Sequence, residues 1–435
     1  MNPAAPAQYY LSGRLSQHLL LLACAVGIAG LLASRALVAI APIAGVVAAL
    51  ANPSVRLEWS NYLRNRAALL AAAVPCFLLL SGFYTTEWAA WRHELFRDLV
   101  WLGVPLAFAL AVPLTASQRL AVGSGFVGSA AAVGLATLGR YLLDPASANE
   151  AIRIGQNVPA ITHVFHIPFG VMLALAFFWG LLLRGSPLAG RWLRGALLLA
   201  TIGAALTLHV LAYRTGLLVF YSGLFAVAVR LLVRRRLLLG LAALVLMAAG
   251  PWLAYHALDS VQKRVDASIW DVQQFTQHHN INNYSLAQRL AAIETAGNIV
   301  GEHWLLGVGP ADTQAAMQAQ YQWQDLGLGP EKRTEVHNQY LQALLGGGLL
   351  GLGLLLGLVF WPLTRNWARR EPAVGLFVLL QATAMLVDAV FDLQTGLNLF
   401  VFTYGFLVVA GERRYQERQL QPTNMVKAFD ATAPF

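Results

Sequence analysis

Apolar residues along this 435-residue chain gather in long blocks, with little of the strict alternation that marks half-buried strands. Twelve blocks approach the roughly 20 residues that a helix needs to cross a hydrocarbon layer. Their expected positions are Leu19–Leu32, Ala36–Ala51, Ala67–Phe83, Leu99–Val112, Leu120–Leu143 and Ile161–Leu183. Trp192–Ala212, Thr215–Val233, Leu237–Tyr255, Gln339–Trp361, Ala373–Val390 and Leu397–Ala410 follow. The first two are short and close, as in a hairpin or a re-entrant pair. One polar stretch interrupts the series, from about His256 to Val336. Within it, Ser285 can cap a helix whose Leu286, Leu290, Ile293 and Val300 recur at helical spacing, and Gly307-Val308-Gly309-Pro310 stops that helix. A second short helix is expected over Ala311–Gln322. The pair would lie on the bundle with its apolar side down.

The expected architecture is therefore all-α and polytopic. Residues 1–255 form nine spans, 256–336 an extramembrane helical loop, 337–412 three more spans, and 413–435 a tail. Composition agrees: 57% of residues are apolar and 12% charged, about half the usual charged share. In the tenth block, Gly347/Gly351 and Gly353/Gly357 lie four apart on one face, a spacing that lets another helix backbone approach.

Charge orients the spans. With both termini cytoplasmic, that side holds 19 of the 30 basic residues, Lys427 of the tail among them, and 5 of the 21 acidic ones. It carries +14 and the far side −5, which together make the net +9. This is the positive-inside pattern, with basic residues in short loops such as Arg234–Arg236, so the basicity is no nucleic-acid footprint. The long polar loop then faces away from the cytoplasm. Cys24 and Cys76 both lie in apolar blocks and indicate neither a disulfide framework nor a zinc site. The first block lacks a small-residue cleavage site and is expected as a span.

An enzyme on the far face has no nucleotide at hand; substrates built on polyprenyl carriers reach it as lipid-linked pyrophosphates. Transfer from such a donor needs cations for the departing diphosphate and a base for the incoming hydroxyl. No Asp-x-Asp or His-x-x-x-His cluster stands on that face, which points to arginine, whose guanidinium grips phosphate oxygens in pairs. Arg214 lies at the mouth between the seventh and eighth blocks, Arg289 near the apolar stripe of the loop helix, and His337 where the loop re-enters. Taken singly, each has a plain reading as well: a snorkelling arginine, a solvated helix residue and a structural histidine. His163, His166 and His209 read as bundle histidines whose hydrogen bonds are met inside the protein. Asp388 and Asp392 read either as interfacial carboxylates or as contacts to acceptor sugars.

Taken together, these residues stand in a recurring order. Arg214-Thr215-Gly216-Leu217-Leu218 precedes a helix; Ser285-x-x-x-Arg289 leads to Gly307-Val308-Gly309-Pro310; His337-Asn338-Gln339-Tyr340-Leu341-Gln342 precedes Gly348-Leu349-Leu350-Gly351. Over Arg214 to about Leu356 the chain resembles the O-antigen ligase and polymerase-like superfamily of bacterial membrane glycosyltransferases. It departs at Tyr213, where many relatives have Ser, so position 213 takes no role by analogy.

The resemblance implies a membrane glycosyltransferase (GT-C-like) fold and inverting transfer without metal or cofactor. The leading expectation is an O-antigen ligase that moves polysaccharide from undecaprenyl pyrophosphate to the lipid A-core. It would sit in the bacterial inner membrane with a periplasmic active site. Arg214 and Arg289 would bind the diphosphate, His337 would act on the acceptor hydroxyl, and Asp388 is a candidate acceptor contact. An O-antigen polymerase or a protein O-oligosaccharyltransferase would share this machinery. A multi-span transporter or a non-catalytic scaffold would not use it.

Overall fold

A computed structural model describes residues 4–153, 156–324 and 326–420. Residues 421–435, which include Lys427 of the expected tail, lie outside that range. Among the described residues the protein is all-helical, without strands.

Each of the twelve apolar blocks falls on a helix. Eight of these are long and apolar enough to cross a bilayer, or nine if Arg35–Leu50 and Val55–Arg64, bent by 118°, count as one. Arg66–Ser81 and Pro372–Val387 have 16 residues each and Val100–Leu110 has 11, so they fall short of a full crossing. At 1.5 Å per residue, 16 residues reach about 24 Å. The first two blocks form a tight helical hairpin, Arg14–Ala33 and Arg35–Leu50, turned at Ser34. The sixth helix starts at His166, later than its apolar block, because the stretch before it is irregular and His163 has φ 57°.

The His166–Arg184 helix is the hub, with 78% of its apolar window buried. It meets the Arg214–Val233 helix at Gly170 and Gly216. A Cβ on Gly216 would lie 2.8 Å from Gly170 Cα, so only glycine permits this crossing. At the end that carries the basic loops, Arg413 pairs with Glu58 at 3.1 Å and Glu412 Oε2 accepts from the Ala67 amide, tying the last helix to Val55–Arg64 and to the third block.

The polar loop holds three α-helices. Asp259–Thr276 has no counterpart among the elements expected from sequence; Ser285–His303 and Thr313–Tyr321 do. The stripe expected on Ser285–His303 is displaced. Ile293 is exposed, and the buried face is Ala287, Ala291, Ala292, Thr295, Ala296 and Ile299. Small residues win this face because Asp259–Thr276 and the Gln339–Phe360 helix both pack closely on it.

Gln339–Phe360 breaks at Gly348 (φ 57°, ψ −151°). The Gly307–Gly309 turn docks backbone to backbone on that break. Val308 N donates to Leu345 O and Gly309 N to Gly346 O, both at 2.9 Å, and Leu349 N donates to Trp304 O at 3.0 Å. The glycine pairs therefore act differently from the spacing argument. Gly347 receives the Phe77 ring and not a helix backbone, while Gly353 and Gly357 face open space. A Cβ on Gly348 would meet Leu305 O at 2.2 Å. Gly348→Ala should therefore cost at least about 2 kcal/mol, given strain plus clash, and lower the thermal unfolding midpoint in detergent. Gly353→Ala should be neutral or slightly stabilising, and equal effects of the two would contradict the docking role.

Candidate active site

The three residues singled out from sequence meet in one cavity of about 1100 Å³. Arg214, Arg289 and His337 line it together with His166, Ser268, Ser285 and Thr334. Arg214 comes from the first turn of its helix, Arg289 from the second turn of Ser285–His303, and His337 from the loop just before Gln339.

Each side chain is held by its neighbours. His337 Nδ1 lies 2.9 Å from Asp388 Oδ1. A carboxylate can only accept, so Nδ1 carries the proton and Nε2 is left as the basic atom. Asp388 is only 3% exposed. It stands behind the imidazole, where the Pro372–Val387 helix ends. Arg289 Nη1 donates to Val387 O at 2.9 Å, so the residue before Asp388 is tied to the cation across the cavity. Arg214 Nη1 donates to Ser268 Oγ at 3.0 Å, and Ser268 in turn donates to Arg264 O.

Arg264 and His166 were not expected from sequence. Arg264 is 3% exposed, and its Nη2 donates to Gln156 O at 2.6 Å. Burial and the nearby Arg214 lower it to about 10, which still leaves it charged at neutral pH. Burial also draws Arg289 below the usual guanidinium range, against the pull of Asp388. His166 was read as a bundle histidine, yet it lines the cavity. His209 is satisfied as expected, by Ala205 O at 2.7 Å and Tyr221 Oη at 2.8 Å. Tyr213 is 1% exposed and its hydroxyl donates to Val158 O, a structural strap.

Beside the cationic cavity lies a chamber of about 960 Å³ that shares Arg214, Ser268 and Leu286 with it. Leu217, Val261, Val265, Ile269 and Val272 give that chamber an apolar lining. A cluster of fixed guanidinium groups next to a partner-held imidazole, opening onto apolar surface, suits an amphiphile with an anionic head.

The family comparison bears on this stretch. Residues 195–356 match the O-antigen ligase family. The matched stretch holds Arg214, Arg264, Arg289 and His337, whereas His166 and Asp388 are supplied from outside it. That stretch, 162 of the 435 residues, is what the chain shares with the family. No curated protein matches the chain.

The Ser285–His303 helix has a cap that sequence reasoning misassigned. Ser285 makes no capping bond; Asp271 Oδ2, from the neighbouring helix, accepts from the Leu286 amide at 2.8 Å. Asp271→Ala should destabilise the fold by about 1 kcal/mol and speed amide exchange at Leu286. Ser285→Ala should leave that exchange unchanged.

Proposed function

We propose that the protein is an O-antigen ligase of the bacterial inner membrane, with a periplasmic site and cytoplasmic termini. It transfers a completed polysaccharide from undecaprenyl pyrophosphate to a sugar hydroxyl of the lipid A-core. The observation that carries this reading is the convergence of Arg214, Arg289 and His337 on one cavity, with His337 Nδ1 bonded to Asp388.

In this reading the diphosphate sits on Arg214 and Arg289, with Arg264 adding to the local positive potential, and the prenyl chain runs into the apolar chamber. The acceptor hydroxyl approaches His337 Nε2. Its oxygen attacks the anomeric carbon from the face opposite the diphosphate, forming the new C–O bond as the old one breaks. The proton passes to Nε2, and the bonding pair leaves on the diphosphate, where fixed guanidinium groups meet the developing charge. Attack from the opposite face inverts the anomeric centre. Asp388 holds the imidazole in the required tautomer and stabilises the imidazolium that forms. The arginines supply the cations that a metal would otherwise provide.

Purified His337→Ala, supplied with both lipids, should lose transfer by about 100-fold or more, the usual scale of a lost general base. Asp388→Asn should reduce turnover by a similar or larger factor with little change in donor binding. Arg289→Ala should weaken donor binding, and wild-type transfer should survive EDTA. Near wild-type transfer by His337→Ala would refute the assigned chemistry. A deletion strain should lose long-chain lipopolysaccharide and accumulate full-length lipid-linked chains. Lipopolysaccharide carrying a single repeat would indicate a polymerase instead.

A further inference from the structure

A second polar cavity, of about 790 Å³, backs onto the first. Glu94, Arg97, Asp98, Gln339, Gln342 and Asp392 supply its polar lining. We propose that this cavity is the saccharide-acceptor subsite, which takes the neutral, hydroxyl-rich end of the acceptor glycan and delivers one hydroxyl to His337. The assignment rests on the transfer reading above for the existence of a second substrate.

The two cavities share a thin wall. In the chain entering the Gln339–Phe360 helix, His337 faces the cationic cavity and Gln339 the other; in the turn after Pro372–Val387, Val387 lines the first and Phe391 and Asp392 the second. Gln339 Oε1 accepts from the Phe391 amide at 2.7 Å and clamps the two segments together. A substrate in the second cavity is therefore only a residue or two of chain away from the imidazole.

Charge separates the two cavities. Arg97 is the one cation among the lining residues, and Asp98 holds it at 3.2 Å. Glu94 and Asp392 remain, and Glu335 adds to the negative potential felt by both. Such a lining offers a diphosphate only a cation already held by a carboxylate, whereas carboxyl groups and amides are good partners for sugar hydroxyls. Burial pushes both Glu94 and Asp392 up to about 7, so at neutral pH they offer donors as well as acceptors.

Asp392 also points to a ligand by itself. Its Oδ2 is fully shielded from solvent and has no hydrogen-bond partner within the protein. A buried oxygen left open is costly unless something fills its place. Among the described residues no three His, Cys, Asp or Glu side chains are grouped to hold a metal ion. Phe77, Trp101 and Phe391 complete the lining with apolar surface.

The test measures binding by the full-length protein in detergent, by native mass spectrometry. The probes are rough lipopolysaccharide, which ends at the core, and undecaprenyl pyrophosphate. Glu94→Ala/Asp392→Ala and Ala343→Trp, the latter filling the cavity from its wall, should each weaken rough lipopolysaccharide at least tenfold. Undecaprenyl pyrophosphate should stay within twofold. Arg289→Ala should show the reverse pattern. Should rough lipopolysaccharide fail to bind while an undecaprenyl-pyrophosphate-linked repeat unit loses affinity in the cavity variants, the subsite stands and the ligase reading falls. Unchanged saccharide affinity in the cavity variants, equal loss for both lipids, or no saccharide binding to the wild type would overturn the proposal.

Discussion

The contact on which the site depends joins main chain to main chain. The Gly307–Gly309 turn lays its amides on the carbonyls that Leu345 and Gly346 expose where the Gln339–Phe360 helix breaks, and Leu349 returns a bond to Trp304. A helix interrupted inside a protein leaves unmet carbonyls, and here a neighbouring turn meets them. Side chains would hold the two segments apart, hence the glycines on both sides. The turn follows Ser285–His303, and the broken helix follows His337. One set of backbone bonds therefore fixes the relative position of Arg289 and His337, which are far apart in sequence.

The electrostatics of the cavity work against its own folding. Burial depresses Arg214, Arg264 and Arg289, and the neighbouring guanidinium groups press further on Arg214 and Arg264. Asp271 and Asp388 offset part of that cost. Asp271 does so while capping a helix, and Asp388 while holding His337. Both carboxylates are engaged at the edge of the cluster, which keeps a net positive charge suited to an anionic head group.

Much of this was legible in the chain. The twelve apolar blocks each found a helix because burial in lipid or protein demands the same run of residues. Arg214, Arg289 and His337 stood out because each is an ionisable group beside an apolar helix end. What the chain hides is register and long-range pairing. Arg264 and Asp271 sit on a helix with mixed polarity, and nothing local distinguishes them from solvated residues. Asp388 reads as a carboxylate at a span end until a histidine 51 positions away is brought to it. The buried face of Ser285–His303 is mostly alanine, which hydropathy ranks below the leucines beside it, although close packing favours the smaller side chain.

The Leu237–Ala257 helix has only 6% of its apolar window covered by protein. It leans on Arg214–Val233 and leads directly into Asp259–Thr276, which brings Val261, Val265, Ile269 and Val272 to the apolar chamber. One wall of that chamber thus continues from the candidate span with the smallest protein-covered share, while bonds from Ser260, Arg264, Ser268 and Asp271 pin the wall itself to the bundle. The helix face that protein leaves uncovered runs on into the apolar lining, so an apolar chain lying along it would reach the guanidinium groups without crossing a polar surface.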